Sequence, residues 1–115
     1  MQKFTGIVQK GSKRGRRLGY PTINIVLTDT EVSGVYAARV RIKKDDAPYV
    51  AAVFADPNRK ILEAHVLNFS DDLYGLSVTI ELHEKIRDKR DFVSDDELKK
   101  VIAEDILNVK RCFEK

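Results

Sequence analysis

The sequence has few of the residues and segments that mark secreted, membrane-spanning or disordered proteins. It has one cysteine, Cys112, so no disulfide can form within the chain, and a cytoplasmic location is expected. No apolar run is long enough to cross a bilayer, and the N-terminus lacks the apolar segment of a signal peptide. Repeats, low-complexity tracts and linkers are also missing. Residues 1–115 are therefore expected to form a single domain that does not act at a membrane.

The excess of positive over negative charge is small. The formal net charge is +3, from 21 basic and 18 acidic residues. This balance suits a phosphorylated ligand but does not favour nucleic acid, because the cations are concentrated in one loop and the C-terminal half contains many acids. The two histidines have no cysteine or aspartate at ligand spacing, so a zinc site is not indicated. With 43% hydrophobic residues, the chain can bury a core without disulfides.

The sequence does contain six segments rich in Val, Ile, Thr, Tyr and Phe, several with the alternation typical of β-strands. They cover residues 4–8, 22–27, 34–42, 49–54, 61–68 and 75–86. The chain then changes period, because Ser94 and Glu97 form a capping box and apolar residues follow at helical spacing to about Phe113. This order predicts a mainly β fold, a small antiparallel barrel plugged or flanked by a C-terminal α-helix. An open sheet with the helix on one face is the alternative.

The long loop between the first two predicted strands combines glycine with positive charge. Glycine lets the backbone approach a ligand closely, and cations with unpaired N–H groups suit an anion. The loop is not expected to open a helix, which argues against a P-loop NTPase or a Rossmann unit. The alternative interpretation is a flexible, solvated charge cluster. The residues concerned are Gly11, Lys13, Arg14, Gly15, Arg16, Arg17 and Gly19.

The Pro-Thr-Ile-Asn element after this loop adds a second feature. Thr22 and Asn24 lie two residues apart on a predicted strand, so their side chains point to the same face. Asparagine is depleted within strands, and between two isoleucines Asn24 needs polar partners. A magnesium ion with ATP phosphates would supply them, because magnesium prefers oxygen ligands. Alternatively, Thr22 is an ordinary strand residue and Asn24 caps a turn.

Glu63 and His65 form a similar pair on the fifth predicted strand. They share one face, opposite Leu62 and Ala64, in an otherwise apolar run. A carboxylate partly withdrawn from water can act as a general base on an attacking hydroxyl, and His65 would then be a hydrogen-bonding partner. The alternative is a pair of side chains that faces solvent on a half-exposed sheet.

Two further polar segments, residues 68–75 and 86–92, contain aromatic side chains among charged ones. The plain interpretation is a hairpin loop and a solvated connection between a strand and a helix. The functional one is a rim that closes over a ligand, with Tyr74 and Phe92 as its aromatic residues. Arg87 could then reach an anion or the face of a ring.

These segments, in this order, resemble the riboflavin kinase (flavokinase) domain over nearly the whole chain. The Pro-Thr-x-Asn element joined to a glycine-rich loop is fairly specific, and the ordered set is much more specific than any one part. The matching stretches are residues 6–11, 15–24, 34–36, 63–65, 72–75 and 86–87, followed by Phe92 and the closing helix.

The resemblance implies a six-stranded Greek-key barrel with a C-terminal helix and ATP-dependent phosphorylation of riboflavin to FMN. It implies that Thr22 and Asn24 help to hold Mg²⁺ and the nucleotide phosphates, and that Glu63 is the catalytic base for the ribityl 5′-hydroxyl. The glycine-rich loop would be a flap over the nucleotide. The segment from Arg87 to Phe92 would lie beside the flavin, with Tyr74 as a further substrate-binding residue. The nucleotide-binding candidates are thus Gly11, Lys13, Arg14, Gly15, Arg16, Gly19, Thr22 and Asn24.

The resemblance has one clear departure. The family usually has a Gly-x-Ala-Asn-Ile-Gly run and a longer loop before the glutamate, whereas residues 49–60 here have a shorter loop and lack that run's asparagine and both its glycines. We therefore expect part of the wall of the ligand pocket to differ. If the site is incomplete, the chain would be a non-catalytic flavin- or nucleotide-binding module. A weaker alternative is a barrel that binds nucleic acid through residues 13–17.

In bacteria this domain is usually fused behind an FMN adenylyltransferase domain, which is not found in this sequence. The chain is therefore expected to be a stand-alone kinase or a piece excised from a bifunctional enzyme. A separate FMN adenylyltransferase is an expected partner.

Overall fold

The computed structural model describes residues 2–10, 14–42, 47–69 and 71–114. Within these ranges it contains six β-strands and two helices. Their bounds are β1 Gln2–Ile7, α1 Arg14–Arg17, β2 Ile23–Val26, β3 Gly34–Arg41, β4 Tyr49–Asp56, β5 Ile61–Val66, β6 Ser77–Arg87 and α2 Asp95–Cys112. The six predicted strands and the C-terminal helix are confirmed, with ends shifted by a few residues.

The strands form one antiparallel sheet in the order β1-β6-β3-β4-β5-β2. Strand β6 returns to lie beside β3 after the β3–β4–β5 meander, which is Greek-key topology. The two ends of the sheet meet where Gln9 N donates to Asn24 O over 2.8 Å. Gly6 permits this approach, because a Cβ there would lie 3.1 Å from Ile25 Cβ. The result is a nearly closed barrel, as predicted, rather than an open sheet.

Outside the irregular β3–β6 pairing, alternation divides the strands between the barrel interior and the outer face. On β5, Leu62, Ala64 and Val66 are buried in the barrel core, whereas Glu63 and His65 are half-buried on the outer face. Most of the core consists of Val, Ile, Leu and Ala, which gives the closed interior no polar groups to satisfy. The interior face therefore provides stability, and the outer face is left for polar chemistry.

Helix α2 flanks the barrel and packs on the outer face of β3 and β4. Its N-terminus is capped as predicted, because Ser94 Oγ accepts a hydrogen bond of 3.1 Å from Glu97 N. Val101 and Val109 bury their side chains on the sheet side of the helix. Complete burial of a side chain such as Val109 contributes about 1.5–3 kcal/mol.

The glycine-rich loop departs from the prediction in one respect. It contains a four-residue helical turn, α1, where the sequence indicated no helix. Two residues after α1, Gly19 has a φ of +92°, which favours glycine, and its N–H donates to Arg16 O over 3.1 Å. A single turn that stops before a left-handed glycine is too short for the phosphate-binding helix of a P-loop. Gly11 and Lys13, also predicted to bind nucleotide, lie outside the described residues.

Candidate active site

A pocket of about 690 Å³ lies between the outer face of the sheet and helix α2. The segment between β6 and α2 forms one side of this ligand pocket, and the end of the glycine-rich loop forms another. Its wall combines aromatic and apolar groups with several charged ones, which suits a flat organic ring with a polar tail. The lining residues used below are Tyr20, Thr22, Phe54, Asp56, Arg59, Glu63, His65, Arg87, Phe92, Ile102 and Asp105.

Glu63 is held on the wall of this pocket by neighbours on both sides. Its side chain is 18% exposed, so it is shielded from bulk water but still reachable. Thr22 Oγ1 donates a hydrogen bond of 2.9 Å to Glu63 Oε1, and Arg59 Nη2 lies 3.6 Å from Glu63 Oε2. A carboxylate so placed can accept a proton from a bound hydroxyl.

Asn24 lies directly opposite Glu63 in the β2–β5 pairing, so both side chains point to the same face of the sheet. Asn24 is only 6% exposed, and its Oδ1 has no hydrogen-bond partner in the described part of the chain. An orphaned buried oxygen is costly unless a ligand or an ion completes its contacts. The structure thus brings together Asn24 on β2, Glu63 on β5, and Thr22 just before β2.

Asp56 and Arg59 are part of this site, although no sequence pattern selects them. Arg59 Nε donates to Asp56 Oδ2 over 2.7 Å, and Lys89 Nζ lies 3.8 Å from the same oxygen. Burial by itself raises the pKa of Asp56, but the hydrogen bonds from Arg59 and the charges of Lys89 and Arg59 outweigh that effect. The pKa of Asp56 therefore lies below the ordinary value for an aspartate.

His65 fixes the end of the glycine-rich loop. Its Nδ1 lies 2.8 Å from Pro21 O, and since a carbonyl oxygen can only accept, the Nδ1 atom carries the proton. The ring of Tyr20 meets the His65 imidazole edge-on at 5.5 Å between centroids. His65 thus positions the chain just before Thr22, which agrees with the predicted role of a hydrogen-bonding partner.

Arg87 joins β6 to α2 across the pocket wall. It makes two parallel hydrogen bonds to Asp105, with Nε–Oδ1 at 2.9 Å and Nη2–Oδ2 at 2.8 Å. Its guanidinium carbon also lies 5.8 Å from the ring centroid of Phe92. The contact of Arg87 with an anion or ring of a ligand stays a prediction; in the structure its guanidinium pairs with the carboxylate of Asp105 and lies near the ring of Phe92.

Of the other predicted site residues, Tyr74, Arg16 and Gly19 do not line the ligand pocket. Tyr74 is 56% exposed, and Lys10 Nζ lies 5.3 Å from the centroid of its ring.

In the glycine-rich loop, Arg16 and Gly19 are exposed, and Arg14 and Gly15 belong to the helical turn α1. Arg17 Nη2 lies 3.5 Å from Asp95 Oδ2, which brings the glycine-rich loop to the start of α2.

The described residues offer neither a ready-made metal cluster nor a membrane-spanning helix. They contain no group of three or more His, Cys, Asp or Glu side chains that could hold a metal ion. None of the helices in the described part of the chain is long and apolar enough to span a membrane.

A nearly closed six-stranded barrel with a strand glutamate beside an outer pocket is an arrangement that a known family shares. The sequence model of the flavokinase family, described as riboflavin kinase, matches residues 1–113. The chain belongs to the riboflavin kinase family.

The curated relatives and a solved riboflavin kinase structure agree with this assignment. The bifunctional riboflavin kinase/FMN adenylyltransferase of Escherichia coli strain K12 is 38% identical over 117 residues, which is 96% of this chain and 37% of that protein. The corresponding protein of Haemophilus influenzae is 37% identical over 118 residues, 96% of this chain and 38% of its own. The chain thus spans little more than a third of the length of these curated relatives.

Among solved structures, riboflavin kinase from Trypanosoma brucei superposes with a TM-score of 0.71 at 27% identity. The match covers 98% of this chain and 80% of that one. A structure from Streptococcus pneumoniae described as a macrolide-efflux protein gives a TM-score of 0.79 at 30% identity, covering 94% of this chain and 38% of that one.

Proposed function

We propose that this protein transfers the γ-phosphoryl group of ATP to the ribityl 5′-hydroxyl of riboflavin, giving FMN and ADP. The observation that carries the proposal is the position of Glu63 in the ligand pocket, hydrogen-bonded to Thr22 and opposite Asn24. A base and a set of oxygen ligands lie side by side, which is what phosphoryl transfer to a hydroxyl requires.

In the proposed step the 5′-oxygen of riboflavin forms a bond to the γ-phosphorus while the bond from that phosphorus to the β–γ bridging oxygen breaks. Glu63 accepts the proton that the hydroxyl loses, and ADP leaves with the electron pair of the broken bond. The protein contributes mainly by positioning and by neutralising charge. The basic glycine-rich loop would cover the phosphates.

The residues present fit a magnesium ion. Asn24 Oδ1 is buried without a partner in the described chain, and Thr22 Oγ1 donates its proton to Glu63, which leaves the hydroxyl oxygen able to face a cation. We propose that Asn24 and Thr22 hold Mg²⁺ together with phosphate oxygens, since magnesium keeps few protein ligands. The ion would neutralise phosphate charge.

The flavin ring would occupy the part of the pocket between Phe54, Phe92 and Ile102. These residues are half-buried, so they leave apolar surface available to a planar ring. Residues 49–60, where the family pattern departs, supply Phe54 to this wall and supply Asp56 and Arg59 to the part of the pocket beside Glu63. The ring-binding side of the site is therefore built from different side chains than in the usual family pattern.

FMN formation from riboflavin, ATP and MgCl₂ tests the proposal directly, with riboflavin binding followed in parallel by fluorescence quenching. We expect both binding and product. Riboflavin binding without FMN formation would favour the non-catalytic module. If riboflavin neither binds nor is phosphorylated, and the protein binds any polyanion in a salt-sensitive way, the nucleic-acid alternative would be favoured.

Thr22→Ala is expected to raise the Mg²⁺ concentration needed for half-maximal FMN formation by ~10–100-fold, the usual loss when a metal's supporting shell is disturbed. The variant removes an oxygen ligand and the hydrogen bond to Glu63. Thr28→Ala is the matched control, because Thr28 is an exposed threonine just after β2 and outside the pocket wall. An unchanged Mg²⁺ dependence in Thr22→Ala would remove Thr22 from the metal site.

The Escherichia coli and Haemophilus influenzae relatives are named as bifunctional enzymes whose second activity is FMN adenylyltransferase. We propose that FMN made by this protein is passed to such an adenylyltransferase activity, in the cytoplasm where ATP is supplied.

A further inference from the structure

Three charged residues form a chain of contacts along the β4–β5 turn and into the pocket. Asp56 ends β4, Arg59 lies in the turn, and Glu63 lies within β5. The turn is closed by Lys60 N, which donates to Pro57 O over 3.3 Å, and Lys60 has a φ of +56°. This short turn places the Arg59 side chain over both carboxylates.

Asp56 is a fixed anchor for Arg59. Its side chain is almost completely buried, and its Oδ1 accepts hydrogen bonds from Asn58 N at 3.1 Å and Arg59 N at 3.3 Å. Its Oδ2 accepts the 2.7 Å bond from Arg59 Nε. Charge-assisted bonds of this length are strong, so the guanidinium plane has little freedom to rotate.

The same guanidinium also approaches Glu63, through its Nη2. Arg59 Nη2 lies 3.6 Å from Glu63 Oε2, while Thr22 Oγ1 holds the other oxygen, Oε1. With the Thr22 hydrogen bond alone, the carboxylate could rotate about Oε1. A second group beside Oε2 restricts that rotation, and Arg59 is this group.

We propose that Arg59, held by Asp56, is a positioning residue that fixes the orientation of the Glu63 carboxylate. The proposal rests on the proposed function, because orientation matters only if Glu63 removes the proton of a bound hydroxyl. Arg59 lies in the segment where the chain departs from the family pattern, so this chain obtains the orientation of its base from its own short turn.

The kinetic test compares Arg59→Met with Arg59→Lys, with Lys60→Met as the matched control. Lys60 is the neighbouring cation of the same turn; it is exposed and does not line the pocket. Arg59→Met should lower kcat ~10–100-fold, the loss expected when a reacting group is misplaced, with little change in KM for riboflavin or ATP. Arg59→Lys should recover only part of kcat, since an ammonium group cannot bond Asp56 and face Glu63 in one plane.

Arg59→Met is expected to fold, because Arg59 is 48% exposed and Lys89 remains near the buried Asp56 carboxylate. Asp56→Asn should lower kcat like Arg59→Met, and the double variant should cost no more than either change alone, since Asp56 acts through Arg59. Additive losses, a loss confined to KM, or a wild-type kcat in Arg59→Met would each overturn the proposal.

A second measurement separates this inference from the proposed function. In ¹H–¹⁵N spectra of the full chain, Glu63→Gln should shift the Arg59 guanidinium signals and Lys60→Met should not. If the wild type forms no FMN, the proposed function fails, and the inference is then decided by this shift alone. Arg59 signals that do not respond to Glu63→Gln would overturn it whatever the activity.

Discussion

Glu63→Gln is expected to leave the fold and nucleotide binding in place and to lower the rate of FMN formation ~10²–10⁴-fold, the usual loss for a positioned base. Glutamine has the same shape, and its side-chain oxygen can still accept the 2.9 Å hydrogen bond from Thr22. It lacks an oxygen basic enough to take the proton of the 5′-hydroxyl. FMN production at saturating ATP and riboflavin would report the loss in kcat.

Glu84→Gln provides the matched control for this experiment. Glu84 is an exposed glutamate on β6, outside the pocket wall, so its variant should keep the wild-type kcat. ADP affinity and the melting temperature should be the same for both variants and the wild type. Full turnover by Glu63→Gln would remove Glu63 from the role of base, and a parallel loss of ADP binding and stability would show that its role is structural.

The fold was largely predictable because each strand carries its own local signal. Residues 61–66 alternate between half-buried and buried positions, as their sequence indicates. The capping box at Ser94 fixed the start of α2 for the same local reason. The four-residue turn α1 was missed, because single helical turns have no amphipathic period to detect. The observed end of β5 and start of β6 lie two residues inside the predicted limits, Asn68 and Gly75, where φ is positive at +59° and +83°.

The closure of the barrel and the register of its strands depend on contacts far apart in sequence. Thr22, Asn24 and Glu63 could be selected from local pattern and resemblance, but only the β2–β5 register places Asn24 opposite Glu63. Neither segment by itself specifies that pairing. The register matters, because a shift of one residue would send one of the two side chains to the other face of the sheet.

Asp56 and Asp105 were missed for a different reason. Both are buried carboxylates, and the sequence around Asp56 reads as ordinary turn chemistry, Asp-Pro-Asn. A signal did exist for Asp105, because it falls on the apolar stripe of α2, four residues before Val109 and seven after Leu98. An acidic residue on such a stripe needs a cationic partner, and Arg87 is that partner.

Asp105→Asn is expected to lower the free energy of unfolding by about 3 kcal/mol, the lower end of the cost of breaking a buried ion pair. Arg87 and Asp105 side chains are only 22% and 8% exposed, so removing the carboxylate leaves the Arg87 charge poorly solvated. For a domain of this size such a loss corresponds to a fall in melting temperature of roughly 10–15 °C. Thermal unfolding followed by circular dichroism would measure it.

Glu104→Gln is the control, since Glu104 is the exposed neighbour on the same helix and its loss should leave the melting temperature near that of the wild type. Equal melting temperatures for the Asp105→Asn and Glu104→Gln variants would show that the Arg87–Asp105 pair is not stabilising α2 against β6.

A double replacement separates the structural role of this pair from substrate binding. In Arg87→Met combined with Asp105→Leu, neither charge remains unpaired, so most of the stability lost in Asp105→Leu alone should return. The riboflavin affinity of the double variant should nevertheless be lower than that of the wild type. The variant lacks the Arg87 guanidinium, which lines the pocket and lies near the ring of Phe92 beside the proposed flavin site. Recovery of both stability and affinity would mean that Arg87 acts only as a tether between β6 and α2.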